Sequence, residues 1–169
     1  IDSYHGLQGI PWIAETVALS TQLLMVEETG IAAHFRQLSC KSSIELMRWA
    51  KDKGLPVTCD VAMHQLYLTD DNLKGFNAQA YVLPPLRSNT DQQAIRRGLK
   101  DGTIDAICSH HEPLNSTAKK APFAESTPGI SNFDTFMALA CQLVRDEVLT
   151  LGQLVDKICL NPAKIAGIS

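Results

Sequence analysis

The chain has 169 residues, of which 45% are hydrophobic and 20% charged, and its formal net charge is -3. These values are typical of soluble globular domains and exclude a disordered or fibrous chain, and the scattered lysines and arginines argue against nucleic-acid binding. Five cysteines without a CxxC spacing exclude a zinc ribbon and a disulfide framework, and no apolar run reaches the roughly 18 residues of a membrane span. We expect one soluble, cytoplasmic domain over residues 1–169, and the missing initiating Met predicts that it is the remainder of a longer chain.

The first elements alternate between helix and strand. Residues 11–30 predict a helix, because proline stands where a first turn tolerates it and glycine where helices end. The short apolar stretch 31–38 predicts a buried strand. Residues 40–54 predict a second helix, with Ser42 and Glu45 at the spacing of a capping box.

The middle of the chain continues this alternation. Residues 55–68, rich in β-branched side chains, predict a strand, and residues 79–86 predict another, ended by Pro84 and Pro85. A helix follows over residues 90–102.

The last part begins with a predicted strand, residues 104–108, which leads into a polar loop over 109–129. Two helices, over residues 131–148 and 150–167, finish the chain. Alternating strands and helices imply right-handed crossovers and a parallel sheet. The fold class is therefore α/β, and four parallel strands form either a small open sheet or half of an eight-stranded barrel.

In a barrel of this kind the chemistry lies at the carboxyl ends of the strands. The residues found at those predicted ends are Gln37, His64, Leu83 and the pair His110 and His111. Adjacent strand residues point to opposite faces, so only one histidine of the pair can face a shared centre. The alternative is that these imidazoles are hydrogen-bonded groups that order the loop.

These residue types alone predict neither a catalytic metal site nor a nucleophilic catalytic site. Catalytic zinc needs about three protein ligands, and no HxH, HxxxH or HExxH occurs in the chain. Cys40, Cys108 and Ser109 lie near strand ends, but no base or orienting partner is apparent for any of them. The residues alone leave a structural role and a metal-binding role for His64 and His110 open.

Six ordered blocks nevertheless resemble a known family. They cover nearly the whole chain from residue 6 and resemble the carboxyl-terminal half of a dihydroorotase: HFRQLS, GLPVTCDVAMHQLYLTD, VLPPLRS, DGTIDAICSHHEP, APFAESTPGI and NPAKIAG. Dihydroorotases are amidohydrolases that interconvert carbamoyl aspartate and dihydroorotate in pyrimidine biosynthesis, and active members hold zinc. The resemblance implies the C-terminal half of a TIM-type (β/α)8 barrel, with about four parallel strands and helices outside.

The resemblance also implies roles for individual positions, and several of them are altered. Gln37 stands where the family has a metal-binding histidine, whereas His64 matches a metal-binding histidine that is kept. His110 stands at the family's metal-binding, proton-shuttling aspartate. Leu83 and Leu114 stand where active members have a substrate-contacting asparagine and histidine.

Two other positions match a turn that approaches the substrate in the family, namely Pro128 and Gly129, although loop shape alone would preserve them equally well. The amino-terminal HxH of the family's metal site is not in this chain. We therefore expect no catalytic residue, a vestigial metal pair of His64 and His110, and no bound cofactor.

Three functional hypotheses follow from the resemblance. The first is a catalytically inactive dihydroorotase-like protein that is a structural partner of aspartate carbamoyltransferase, as some bacterial relatives with the same glutamine and His-His pair are. The second is a metal-dependent dihydroorotase or cyclic amidohydrolase with a site rebuilt around His64 and His110. The third is a small-molecule binding module without metal. A half-barrel has two unpaired edges, so we also expect the missing N-terminal half or a homo-oligomer as a partner.

Overall fold

The computed structural model of the chain describes residues 9–168. Residues 1–8, which include the start of the family resemblance, and Ser169 lie outside the described residues. The described helices are α1 (Trp12–Thr29), α2 (Lys41–Asp52), α3 (Asn89–Lys100), α4 (Phe133–Arg145), α5 (Leu151–Val155) and α6 (Asn161–Ile165). The described strands are β1 (Ala33–Phe35), β2 (Val57–Ala62) and β3 (Ala106–Cys108).

The three strands form a parallel sheet in the order β1-β2-β3. Ala33 lies opposite Val57, and Asp60 lies opposite Ala106. One face of the sheet is apolar and packs beneath the helices, with Phe35 among the core residues of this face. The predicted α/β class and its parallel pairing are confirmed.

Side chains alternate across the sheet because successive residues of a strand point to opposite faces. The helix-covered face carries Val57, Cys59 and Val61 of β2, and all three belong to the main hydrophobic core. The opposite face carries Thr58 and Asp60, so the two faces of this one strand differ sharply in polarity.

The predicted strand over residues 79–86 is wrong. Strands β2 and β3 pair directly with each other, which leaves no place for a strand between them. The chain instead forms a 3₁₀ turn at Ala78–Ala80 and then a cis peptide bond between Leu83 and Pro84. The carbonyl oxygen of Tyr81 accepts hydrogen bonds from Gly129 N at 2.9 Å and Lys119 Nζ at 3.1 Å. The backbone here is therefore satisfied by the later loop and not by a neighbouring strand, and the described sheet has three strands where about four were expected.

The predicted capping box at Ser42 and Glu45 is also wrong. Helix α2 begins one residue after Cys40, which has extended backbone geometry, so Ser42 already lies inside the helix. The carboxylate of Glu15 on α1 accepts the N–H groups of Ser39 at 2.9 Å and Cys40 at 3.4 Å. The N–H of Lys41, the first residue of the helix, is accepted by Asp91 at 2.9 Å. Carboxylates from two other helices thus satisfy donors at this end, which local spacing could not predict.

The final helical segment contains a π-helical turn, Asp156–Leu160, between α5 and α6. This turn carries Lys157, whose Nζ donates a hydrogen bond to the carbonyl oxygen of Ile104 just before β3. The segment is thereby tied to the amino-terminal end of the sheet. None of the helices formed by residues 9–168 combines the length and the apolar character needed to cross a membrane.

Candidate functional site

The carboxyl ends of the three strands bring together three of the polar residues singled out in the sequence. Gln37 follows β1, His64 follows β2 and His110 follows β3. Gln37 and His110 have positive φ angles, 58° and 45°, a conformation that non-glycine residues adopt uncommonly. Both turns therefore redirect the chain sharply where the strands end.

His64 is a buried imidazole, only 2% exposed, in the 3₁₀ turn Met63–Leu66. Its Nδ1 lies 3.0 Å from the side-chain nitrogen Nδ2 of Asn132, and its Nε2 has no hydrogen-bond partner. Burial, reinforced by the neighbouring His110, lowers the pKa of His64 to about 4. His64 is therefore a neutral imidazole at physiological pH.

His110 lies beside it, with the two ring centroids 5.4 Å apart. Its Nε2 lies 3.2 Å from Oε1 of Glu112, and its buried Nδ1 has no hydrogen-bond partner. The structure thus places the two predicted metal ligands next to each other, and each has one unpaired nitrogen.

His110 of the adjacent pair lies beside His64, whereas His111 contacts the start of α4. Strand β3 ends at Cys108, so the expected alternation of strand side chains is not the reason for this difference. The Nδ1 of His111 accepts hydrogen bonds from the backbone N–H groups of Asn132 at 3.1 Å and Phe133 at 3.0 Å. Those two groups are at the amino-terminal end of α4, where backbone donors lack partners within the helix. His111 therefore caps a helix, which is the structural role left open by the sequence.

Asn132 was missed in the sequence. It is 4% exposed, and besides His64 its Nδ2 contacts the carbonyl oxygens of Ser109 at 2.8 Å and His110 at 3.4 Å. An asparagine directly before a helix looks like an N-cap, yet its side chain makes no capping hydrogen bond to α4. The partner at His64 is 68 residues away, so no local pattern could have revealed it.

A second polar pair was also missed, on the face of the sheet opposite the helices. Nε2 of His34 lies 2.9 Å from Oδ2 of Asp60, and Nδ1 of His34 lies 2.8 Å from the Thr58 hydroxyl. The other Asp60 oxygen accepts the backbone N–H of Gln37 at 2.8 Å. This buried carboxylate therefore fixes the turn that carries Gln37, and polar residues at alternate strand positions were the signal for it.

The two thiols near the strand ends, Cys40 and Cys108, are in environments that keep them protonated at neutral pH. Burial, followed by the charge of Asp60, raises the pKa of Cys108 to about 12. Burial, followed by the charge of Glu15, raises the pKa of Cys40 to about 11. Since the thiolate is the reactive form, neither site provides the electropositive environment of a catalytic cysteine.

The remaining predicted positions lie in the loops around the carboxyl ends. Leu83 is 40% exposed and lines a cleft of about 440 Å³. Gly129 has φ 146°, and a Cβ there would lie 2.8 Å from the Glu112 carbonyl oxygen and 3.1 Å from Leu114 Cδ1. Its N–H already binds the Tyr81 carbonyl oxygen. Close packing of this loop is sufficient reason for a glycine after Pro128, and a substrate-binding role for the two residues stays a prediction.

The residues present do not fit a zinc ion. Zinc sites in enzymes use about three protein ligands, normally histidine, carboxylate or thiolate. Within residues 9–168 there is no group of three or more such side chains that could hold a metal ion. His64 and His110 supply two imidazoles, and Gln37 offers only a neutral amide. No chemical step can therefore be assigned to a metal held by these residues.

Comparison with known proteins gives a consistent set of similar sequences. A scan against protein-family models finds no match. The chain is 49% identical to a dihydroorotase-like protein of Pseudomonas aeruginosa over 96% of its own length and 38% of that protein. It is 44% identical to a dihydroorotase of Geobacter metallireducens, again over 96% of the chain and 38% of the relative. The chain thus spans about two fifths of the length of these relatives.

Solved structures agree on the fold. The structure of a dihydropyrimidinase from Brevibacillus agri superposes on 94% of the chain, which covers 36% of the length of the dihydropyrimidinase. The TM-score is 0.87 and the sequence identity is 23%. The inactive dihydroorotase-like domain of a Chaetomium thermophilum CAD-like multifunctional protein matches 89% of the chain and 41% of its own, with a TM-score of 0.69 and 24% identity. The three strands and their helices are accordingly part of a TIM-type barrel.

Proposed function

From the premise that the chain belongs to the dihydroorotase family of amidohydrolases, we propose that it is part of a catalytically inactive dihydroorotase-like protein. Its role is structural, as a partner of aspartate carbamoyltransferase in pyrimidine biosynthesis. The observation that supports this proposal is the set of donors at the carboxyl ends of the strands. Within residues 9–168, no three histidine, cysteine, aspartate or glutamate side chains are placed so that they could hold a metal ion, and Gln37 offers only a neutral amide.

The chemistry of the altered residues supports loss of catalysis. At the position that the family resemblance assigns to a carboxylate, His110 brings no negative charge to accept the proton of an attacking water. The exposed aliphatic side chains of Leu83 and Leu114 cannot hydrogen-bond a polar substrate. Four altered positions together remove metal binding, proton transfer and substrate recognition.

The names of similar proteins support the same proposal. The Pseudomonas aeruginosa relative is called dihydroorotase-like, and the CAD-like domain of similar fold is called inactive. Both descriptions belong to those proteins, and they make an inactive member of the family a reasonable model for this chain.

The exposed surface supports a need for partners. Strands β1 and β3 are the outer strands of the described sheet, and an unpaired strand edge is a site for pairing with another chain segment. Helix α1 also presents apolar residues outward, with Ile13, Val17 and Leu24 exposed by 48%, 56% and 60%. We propose that the missing N-terminal half of the barrel, or a second copy of this chain, covers these surfaces.

The deciding experiment uses the full gene product that contains this chain. It is co-expressed with the aspartate carbamoyltransferase of the same organism, and zinc content, co-elution and cyclisation of carbamoyl aspartate are measured on one sample. We expect co-elution, zinc well below one ion per chain, and no cyclisation. Near-stoichiometric zinc with a normal enzymatic rate would overturn the loss of catalysis, and elution of the two proteins apart would overturn the partnership.

A rebuilt metal site is the second candidate, and one observation favours it. The unpaired nitrogens His64 Nε2 and His110 Nδ1 are buried side by side, and ligands from outside these residues could complete a site with them. This candidate predicts that H64Q and H110A in the full gene product each remove bound zinc. The inactive protein predicts that neither substitution changes its zinc content.

A further inference from the structure

The orientation of the Asn132 amide is fixed by its surroundings. Its Nδ2 lies 2.8 Å from the carbonyl oxygen of Ser109 and 3.4 Å from that of His110. Carbonyl oxygens only accept hydrogen bonds, so an amide nitrogen must face them and an amide oxygen must not. If the amide nitrogen and oxygen exchanged places, the amide oxygen would face two backbone carbonyl oxygens in a buried site. None of these three oxygens could then form a hydrogen bond with another, which would be destabilising.

This orientation leaves one N–H of Asn132 for His64. Asn132 Nδ2 lies 3.0 Å from His64 Nδ1. An amide nitrogen donates hydrogen bonds and does not accept them, so Asn132 is the donor of this contact. A donor at Nδ1 requires a lone pair on that nitrogen. Because a neutral imidazole carries a single ring proton, that proton must be on Nε2.

A proton on Nε2 is the reverse of what metal binding needs. A histidine that binds metal through Nε2 normally donates its Nδ1–H to a carboxylate or carbonyl oxygen, which fixes the tautomer and makes the ligand more basic. In this chain the N–H of Asn132 stands where that acceptor would be, next to Nδ1 of His64. The ring proton is therefore on Nε2, the nitrogen that would have to bind the metal.

The backbone around Asn132 is held as firmly as its side chain. His111 accepts the backbone N–H of Asn132 and that of Phe133, and so anchors the residue at the amino-terminal end of α4. The adjacent histidines thereby have separate tasks. His110 lies against the His64 ring, and His111 secures the residue that contacts that ring.

We propose that Asn132 is a positioning residue that holds His64 in its Nε2–H tautomer and so prevents metal binding there, independently of the residues at positions 37 and 110. Restoring those two ligands alone would leave His64 unable to bind a metal through Nε2. Because the tautomer is a property of the ring itself, it can be tested separately from loss of activity and from carbamoyltransferase binding.

The test is nuclear magnetic resonance of ¹⁵N-labelled histidine in the full gene product at pH 7, with long-range proton couplings that distinguish the two tautomers. The His64 signals are assigned by their loss in H64Q. We expect His64 in the Nε2–H form in the wild type. A wild-type Nδ1–H form would overturn the proposal.

The variant N132D replaces the donor by an acceptor. We expect its His64 to move to the Nδ1–H form or to become doubly protonated, whereas an unchanged Nε2–H form would overturn the proposal. The matched control is N161D, since Asn161 Nδ2 also donates to a backbone carbonyl, that of Asp105 at 2.9 Å, at the opposite end of the strands. We expect N161D to leave the His64 signals in place.

Zinc alone gives a second measurement. In competition with a chromogenic chelator, we expect H64Q to change the zinc affinity of the full gene product by less than about twofold, because a protonated Nε2 contributes no metal bond. A loss of tenfold or more on this substitution would show that His64 binds zinc in the presence of Asn132, and would overturn the proposal.

Discussion

The two ends of the parallel sheet treat their buried polar groups differently. At the amino-terminal end, the Asp105 carboxylate binds Lys51 Nζ at 2.7 and 2.8 Å and the backbone N–H of Cys59 at 2.8 Å. At the carboxyl end, His64 Nε2 and His110 Nδ1 have no partner, and in residues 9–168 these are the two buried side-chain nitrogen or oxygen atoms without one. One end is fully paired, and the other retains unpaired groups.

This difference separates stability from site chemistry. In barrels of this type, the amino-terminal ends of the strands serve stability and the carboxyl ends hold the reactive residues. The chain keeps a polar carboxyl end, even though the histidines there do not form a complete metal-binding set within residues 9–168. The unpaired imidazoles are buried polar groups, and burying a polar group without a hydrogen-bond partner destabilises the fold.

The largest effect is expected where the amino-terminal network is broken. D105A removes the partner of Lys51 and the acceptor for Cys59 N–H, both in a largely buried setting. We expect a loss of about 3 kcal/mol in the free energy of unfolding, because a partly buried charge and a buried backbone donor are left unpaired. Equilibrium urea denaturation measures this loss.

The control for D105A is an exposed ion pair in the same region. Arg48 and Asp101 lie 2.6 Å apart with both side chains more than 40% exposed. R48A is expected to cost about 0.5 kcal/mol or less, since solvent screens such pairs. Equal losses in D105A and R48A would remove the distinction between a stabilising end and a site end.

The next effect concerns the carboxyl end and depends on pH. The pKa of His64 falls from 6.5 to about 4 on folding, mainly because of burial. Between pH 6.5 and pH 4, His64 binds a proton in the unfolded chain but not in the folded chain. The free energy of unfolding therefore decreases as the pH falls below about 6.5. At pH 5 the solution is about 1.5 units below the pKa of His64 in the unfolded chain, and each unit corresponds to about 1.4 kcal/mol. We therefore expect the free energy of unfolding to be about 2 kcal/mol lower at pH 5 than at pH 8.

Urea denaturation of the wild type and H64Q between pH 8 and pH 5 isolates this contribution. We expect the stability of H64Q to depend less on pH over this range, because glutamine does not titrate. If the free energy of unfolding changed with pH equally in the two proteins, His64 would have to take up a proton in the folded chain as it does in the unfolded chain. That result would contradict the effect of its burial and its hydrogen bond from Asn132.

Features determined by short stretches of sequence could be predicted, and those determined by distant contacts could not. Helix α1 follows from a proline at its start and a glycine at its end. Residues 79–86 carry a strand-like pattern, but their backbone partners are in the loop that contains Gly129. A pattern can predict an extended segment without predicting which segment it pairs with.

The site shows the same limit. The positions of Gln37, His64 and His110 at strand ends follow from the order of the elements, and the structure brings them to one edge of the sheet. Asn132, which determines the chemical state of His64, comes from beyond a long loop and has no distinctive local signal. The sequence could predict which residue types are at the site. Only the folded structure could show which hydrogen-bonding group faces each histidine nitrogen.

The smallest effect tests whether His111 is a cap or a ligand. H111A removes the acceptor for two backbone N–H groups at the start of α4, and we expect a loss of about 1 kcal/mol, typical of helix caps. The matched control is T150A at the start of α5, where the hydroxyl accepts Gln153 N–H at 3.2 Å. A cap predicts similar losses in the two variants and unchanged zinc in the full gene product. A metal ligand predicts the opposite, a fall in zinc for H111A alone, so measuring stability and zinc on the same samples decides which role the second histidine of the pair has.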